Sequence, residues 1–237
     1  MTDTITIGSR FNGPPGSGNG GYSGGLLAKE MQASGAVLVQ LRAPPPLDTP
    51  LSVTTSDDGL DAMLGETLVI KARPADPLTA APEAPAQSLA AKGPETFNSV
   101  EDHVFPACFV CGPLRKPGDG LCLFTGRLEG YDGVGDLWTP DQSFCDETGR
   151  VRAEFLWAAL DCPGAFAIGN QENPMVLGQM TTQIHERPKA GETLTVAGWL
   201  NFHDGRKHGA GTAIYRADGT CLAQSEQIWI ELKPKTA

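Results

Sequence analysis

The sequence predicts an α+β chain of two similar halves, each an antiparallel sheet wrapped around one central helix. Three observations predict it. Glycine and proline supply 29 and 19 of the 237 residues, about a fifth of the chain against a usual ~12%, which implies many turns and short elements and argues against a helical bundle. Residues 41–53, LRAPPPLDTPLSV, match residues 184–196, IHERPKAGETLTV, without a gap at a constant offset of 143, pairing Pro45 with Pro188, Leu51 with Leu194 and Val53 with Val196. A repeat at fixed offset is the mark of duplicated units. Ahead of each matched stretch lies a run of small apolar residues long enough for a helix.

In chain order, the first helix is expected over 21–33, GYSGGLLAKEMQA, where Gly24, Gly25, Leu26, Leu27 and Ala28 leave little polar character on any side. Such a helix suits enclosure by a sheet. Each of its two central glycines costs about 1 kcal/mol relative to alanine, so packing must hold it. The matched stretch 41–53 reads as strand, proline turn, strand. It is followed by the Asp58-Gly59 turn and the alternating segment TLVIKAR. Residues 76–96, rich in proline and alanine and without hydrophobic periodicity, read as an extended surface linker that proteases cut first. They divide the chain into a half over 1–75, a linker over 76–100 and a half over 101–237.

The second half repeats the pattern. A helix is expected over 153–168, AEFLWAALDCPGAFAI, ended or kinked at Pro163 unless tertiary packing holds it. The strand pair 184–196, the Asp204-Gly205 turn and TCLAQSEQIWIEL follow.

Composition bounds the function. The balance of 18 basic against 28 acidic residues gives a net charge of −10, the wrong sign for a nucleic-acid partner, which needs clustered cations. The N-terminus has neither the basic start nor the apolar run of a signal peptide, and no stretch approaches ~18 apolar residues. The expectation is a cytoplasmic protein that does not insert in a membrane. All six cysteines fall in the second half, and free thiols are expected in a chain of this size. Cys108-x-x-Cys111 forms one ligand pair where zinc wants four ligands, and His103 alone does not complete it, so neither metal nor cofactor is expected.

The duplicated order of elements resembles the hotdog fold, and the tandem arrangement resembles the double-hotdog acyl-CoA thioesterases and thioesterase-like proteins. Asn19-Gly20-Gly21 is similar to the family's His-Gly-Gly loop, with Asn in place of His. WAALD, residues 157–161, resembles its helix with an acidic residue about two turns in. RPKAGETLTV and GTCLAQSEQIWI resemble the strands that follow in the small phenylacetate-pathway type, and CFVCGPLRKPGDGLCL resembles a Cys-rich entry seen in some members. The resemblance implies thioester hydrolysis with Asp161 as base or nucleophile. It also implies a third polar partner on the next strand, for which Gln179 and Thr181 are the candidates.

Hydrolysis needs an activated water or nucleophile, and hydrogen-bond donors where the carbonyl oxygen becomes negative. A Gly-Gly helix start supplies free N–H groups at the positive end of a helix dipole. That start occurs only in the first half, at Gly20, Gly21 and Tyr22, whereas the matching loop of the second half is Arg152-Ala153-Glu154. Conversely Asp161 occupies the acidic position of the second helix and Ala28 that of the first, with Glu30 two residues beyond. One composite site, Asn19, Gly20, Gly21 and Tyr22 facing Asp161 across the groove between the halves, with room for one water between the carboxylate and a thioester carbon, is therefore expected. Coenzyme A phosphates require local cations in an acidic protein, with Arg206, Lys207 and Arg152 as candidates. Exposed sheet edges predict a homodimer. The rival reading is a non-catalytic binder of acyl-CoA or another apolar ligand in the same groove.

Overall fold

The computed structural model describes residues 3–169 and 174–233. Among the described residues eleven strands form one antiparallel sheet: β1 Thr4–Ile5, β2 Val37–Leu41, β3 Leu51–Ser56, β4 Gly59–Leu64, β5 Thr67–Pro74, β6 Gly126–Arg127, β7 Val134–Trp138, β8 Met175–Ile184, β9 Leu194–Asp204, β10 Lys207–Tyr215 and β11 Cys221–Glu231. Their order is β1-β3-β4-β5-β2-β8-β11-β10-β9-β7-β6. The expected pair of separate sheets is therefore corrected to one continuous sheet. The cause is the pairing of β2 with β8, from Val37↔Thr182 to Gln40↔Gln179, which satisfies two edges that separate sheets would leave open.

The repeat is visible in the topology. Outward from the β2–β8 junction the first half runs β2-β5-β4-β3 and the second β8-β11-β10-β9. β3 begins at Leu51 and β9 at Leu194, the two leucines paired in the sequence.

Helix α1 spans Gly20–Glu30, helix α2 is the single turn Gln87–Ala90, and helix α3 spans Ala153–Ile168. α1 ends earlier than expected because Gln32 turns to φ 50°. α1 packs on β2, β4, β5 and β8, α3 on β7 to β11, and the two helices pack on each other. They run antiparallel: a Cβ at Gly21 would lie 2.7 Å from Asp161 Cβ, and one at Gly25 would lie 2.8 Å from the Glu154 Cα. α3 continues through Pro163. One turn earlier, its Leu160 carbonyl accepts hydrogen bonds from Thr212 Oγ1 at 2.8 Å and from the Gln227 amide. Below it, Gly198 lets β9 approach to where a Cβ would sit 2.7 Å from the Pro163 oxygen. Packing therefore holds a helix that propensity would break.

Residues 76–96 run along the surface, with neither helix nor strand before Gln87. They cross the sheet face opposite α3, where Ala81 and Ala84 pack on Ala197, Ala213 and Tyr215. Leu78 N–H donates to Gln183 Oε1 at 3.0 Å, Tyr215 Oη–H to the Pro82 carbonyl at 2.8 Å and Gln87 Nε2–H to the Thr193 carbonyl at 3.0 Å. The composition that denies this segment a core of its own suits a thin strap over a row of alanines. Tyr215→Phe is expected to cost about 1 kcal/mol and to speed cutting within 76–86 in limited proteolysis; an unchanged cleavage rate would show that the hydroxyl does not hold the strap.

Residues 97–125, which lead to β6, contain neither helix nor strand. Buried Asp136 on β7 anchors the end of this segment, its two oxygens accepting from Phe124 N–H and from its neighbour Leu137 N–H, each at 2.7 Å. Burial pushes its carboxyl up to about 6 from the usual 3.8, against the two backbone hydrogen bonds. A raised folded pKa means the folded state binds more protons, so this group's contribution falls as pH rises between about 4 and 6. The wild type is expected to gain about 1 kcal/mol from it between pH 7 and pH 5, read as the difference between denaturation profiles of wild type and Asp136→Asn. Parallel profiles would contradict the assignment.

Candidate functional site

A groove of about 1510 Å³ opens between the N-terminus of α1, the second half of α3 and the strands β8 and β11. Its wall carries Asn19, Gly20 and Asp161, and its apolar surface includes Leu41, Phe97, Phe166, Leu177 and Trp229. Asp161 is 2% exposed. Its Oδ2 accepts from Asn19 Nδ2–H at 2.7 Å and from Gly21 N–H at 2.9 Å, while its Oδ1, also buried, has no hydrogen-bond partner among the described residues. Burial pushes the carboxyl up to about 7, with the Gly21 hydrogen bond opposing, the charge of the nearby Cys108 thiol raising it further and Asn19 opposing.

The predicted residues of the two halves thus come together, but in direct contact and not facing each other across the groove. Gly21 N–H is taken by Asp161, and Tyr22 N–H by Asn19 Oδ1 at 2.9 Å, so Asn19 caps α1 and holds Asp161 at once. Two of the three donors expected for an oxyanion are therefore consumed. Among the described residues no acceptor is found for Gly20 N–H, and Gly20 borders the groove. The Tyr22 ring lies in the core, stacked on Phe11 with centroids 4.0 Å apart. Gly21 also has a packing role: a Cβ there would fall 2.4 Å from the Trp157 carbonyl oxygen.

The matching place on the other side of the helix pair is a smaller crevice of about 490 Å³ lined by Ala28, Lys29, Arg152 and Glu154. There the buried Glu154 at the start of α3 pairs with Lys29 at 3.7 Å and Arg152 at 3.6 Å. It contains neither Asp161 nor the glycine start of α1.

Gln179 and Thr181 are not brought to Asp161. Alternation along β8 puts Met180 and Thr182 in the buried layer and the predicted pair on the same side as Gln183, which holds the strap. Gln179 instead accepts from Gln40 Nε2–H across the β2–β8 junction at 3.1 Å. The three predicted phosphate-binding cations also lie elsewhere. Arg152 belongs to the smaller crevice, Lys207 starts β10, and Arg206 donates to the Glu231 carbonyl at 2.9 Å without lining the groove. Arg42 and Arg127 line the groove instead; neither stands out in the sequence, since each is a single cation in an ordinary strand or turn.

A second feature escapes sequence reasoning. Cys162, next to Asp161, joins Cys108 and Cys111 so that their three sulfur atoms lie within 4.8 Å of one another, all buried. About fifty residues separate Cys111 from Cys162 in the chain, so only the fold joins them.

No protein-family model and no curated protein matches the chain. Its fold is shared along nearly its full length with solved structures. The tesB protein of Mycobacterium avium subspecies paratuberculosis is 15% identical with a TM-score of 0.62, covering 97% of this chain and 92% of its own. A protein described as a thioesterase II of Thermobifida fusca is 13% identical with a TM-score of 0.61, covering 98% and 93%. A protein of unknown function with a hot dog fold from Alicyclobacillus acidocaldarius is 12% identical with a TM-score of 0.58, again covering 98% and 93%. These likenesses establish the class of fold, a hotdog-type antiparallel sheet with few helices.

Proposed function

We propose that the protein is a thioesterase-like hydrolase acting on an acyl-CoA-type thioester at one composite site between its two halves. The observation that carries the reading is Asp161: a buried carboxylate on the wall of an apolar groove, one oxygen anchored by Asn19 and Gly21 and the other without a partner among the described residues. An anchored carboxylate is oriented for proton abstraction from a water in the groove, or for direct attack on a thioester carbon. Gly20 N–H, at the positive end of the α1 dipole, is the donor left for the developing oxyanion. The apolar surface suits an acyl chain, and Arg42 and Arg127, in place of Arg152, Arg206 and Lys207, are the partners of the coenzyme phosphates. The reading is supported by a shared fold, over nearly the full chain, with two proteins described as thioesterases.

On this reading the chain is a tandem hotdog of halves 1–75 and 101–237 joined by the strap, working in the cytoplasm. No described helix is long and apolar enough to cross a membrane. We extend the reading to a homodimer, for which Leu200 and Phe202, 41% and 43% exposed on β9, are the candidate contacts. Light scattering should give twice the chain mass, and a monomer at micromolar concentration would end that part.

A second reading, an acyl-CoA or apolar-ligand binder without turnover, is favoured by the occupation of Gly21 N–H and Tyr22 N–H. A hydrolysis panel across aliphatic and aromatic coenzyme A esters separates the two. Release of free thiol above the uncatalysed rate supports the hydrolase, and saturable binding with no release supports the binder.

A further inference from the structure

We propose that Cys108, Cys111 and Cys162 bind a thiophilic divalent metal ion, zinc by the nature of the donors, with its fourth position open to the groove.

The three sulfur atoms all lie within 4.8 Å of one another, and Cys108 Sγ is 3.7 Å from Cys162 Sγ. Thiolates at the ~2.3 Å zinc–sulfur distance and the tetrahedral angle stand about 3.8 Å apart. A disulfide would require ~2.05 Å. The loop that presents the first two sulfurs is built for one conformation. Gly112 N–H donates to the Cys108 carbonyl at 2.9 Å, and a Cβ at Gly112 would fall 2.5 Å from both the nitrogen and the oxygen of Cys108. The third sulfur receives Asn19 Nδ2 at 3.9 Å, a donor that suits a thiolate.

An independent observation points the same way. The segment 97–125 runs for nearly thirty residues without helix or strand, yet Phe109, Val110, Leu121 and Leu123 within it are buried. So long an irregular segment in a compact chain is uncommon. All the described cysteines are free, so no disulfide ties it down. An ion shared by Cys108 and Cys111 of this segment and Cys162 of α3 would tie it to the helix. Because all three cysteines line the groove, the remaining tetrahedral position falls to a water there. Three thiols lose their protons on binding, so the ion's affinity falls as pH falls.

The inference is independent of the hydrolytic reading, since it is read from metal content. The full-length protein, purified without added metal or chelator, is expected to carry about one zinc per chain. Stripping the ion should make three more of the six cysteines reactive toward a thiol reagent, and cobalt(II) added to the stripped protein should produce thiolate-to-cobalt charge-transfer absorption. Cys162→Ser and Cys111→Ser should lower metal content several-fold, while Cys145→Ser and Cys221→Ser leave it unchanged. If the serine variants do not fold, the wild-type measurements decide alone. A folded wild type that holds no metal and gives no cobalt band would overturn the proposal, as would a disulfide among these cysteines in the intact mass.

Discussion

Replacing Asp161 by Asn is expected to leave the fold intact and to lower thioester turnover by on the order of 10²–10⁴, the range for a lost general base. The substitution is nearly isosteric. In the Asp161→Asn protein, the side-chain oxygen in the place of Oδ2 still accepts from Asn19 and Gly21, and the new amide takes the place of the partnerless Oδ1. Ligand affinity should therefore change little while kcat falls. Asp161→Ala is expected to differ, because it leaves Gly21 N–H and Asn19 Nδ2 buried without an acceptor, at about 1–3 kcal/mol of stability. Glu30→Gln should alter neither. Steady-state kinetics with thermal unfolding of the three variants is the measurement. A folded Asp161→Asn protein with full activity would remove Asp161 from the chemistry, and loss of stability without a selective fall in kcat would leave it as a helix cap alone.

Gly21→Ala is expected to cost about 1–3 kcal/mol, the usual penalty of overpacking, and to reduce turnover as well. A methyl there meets a backbone oxygen, that of Trp157, at 2.4 Å and Asp161 Cβ at 2.7 Å. Neither retreats without separating α1 from α3, and separation pulls Gly21 N–H away from Asp161. Gly24→Ala is the control. The three atoms its methyl meets first all belong to the Val39 side chain, the nearest at 2.9 Å, and alanine recovers about 1 kcal/mol of helix propensity. At about 2–4 °C per kcal/mol for a chain of this size, the melting temperatures should separate the two variants. Equal melting temperatures would mean that the helix pair is looser than its contacts imply.

The difference between these two glycines marks the limit of what a sequence conveys. GGYSGG announces a helix that must be packed closely, but not which glycine faces a helix and which a valine. Pro163 makes the same point from the other side. Local propensity ends the helix there, and Gln227, Thr212 and Gly198, each more than thirty residues away in the chain, keep it whole. That the strap over 76–96 lacks a core of its own is legible in its composition. That it uses the alanine-rich outer face of the second half becomes visible only with Ala197, Ala213 and Tyr215 side by side.

The site divides in the same way. That Asn19, Gly20, Gly21 and Asp161 stand apart from their surroundings is legible, because a glycine start at one helix is a local signal, and a carboxylate within an apolar helix is costly to bury unpaired. Gln179 and Thr181 belong to the strand that borders the groove but lie on its other face. Their alternation is as predicted, and which of two faces meets the helices is decided by the sheet.

The sequence by itself determined the repeat, the two central helices and the asymmetry that puts a glycine start on one helix and a carboxylate on the other. Each of these is written in local pattern or in the comparison of one half with the other. Only the tertiary structure decided that the halves share one sheet, that Asp161 touches the first helix directly, and that Cys162 closes on Cys108 and Cys111. Those outcomes depend on contacts between residues about 50 to 140 positions apart, whose geometry comes from the packing of α1 on α3 and the pairing of β2 with β8.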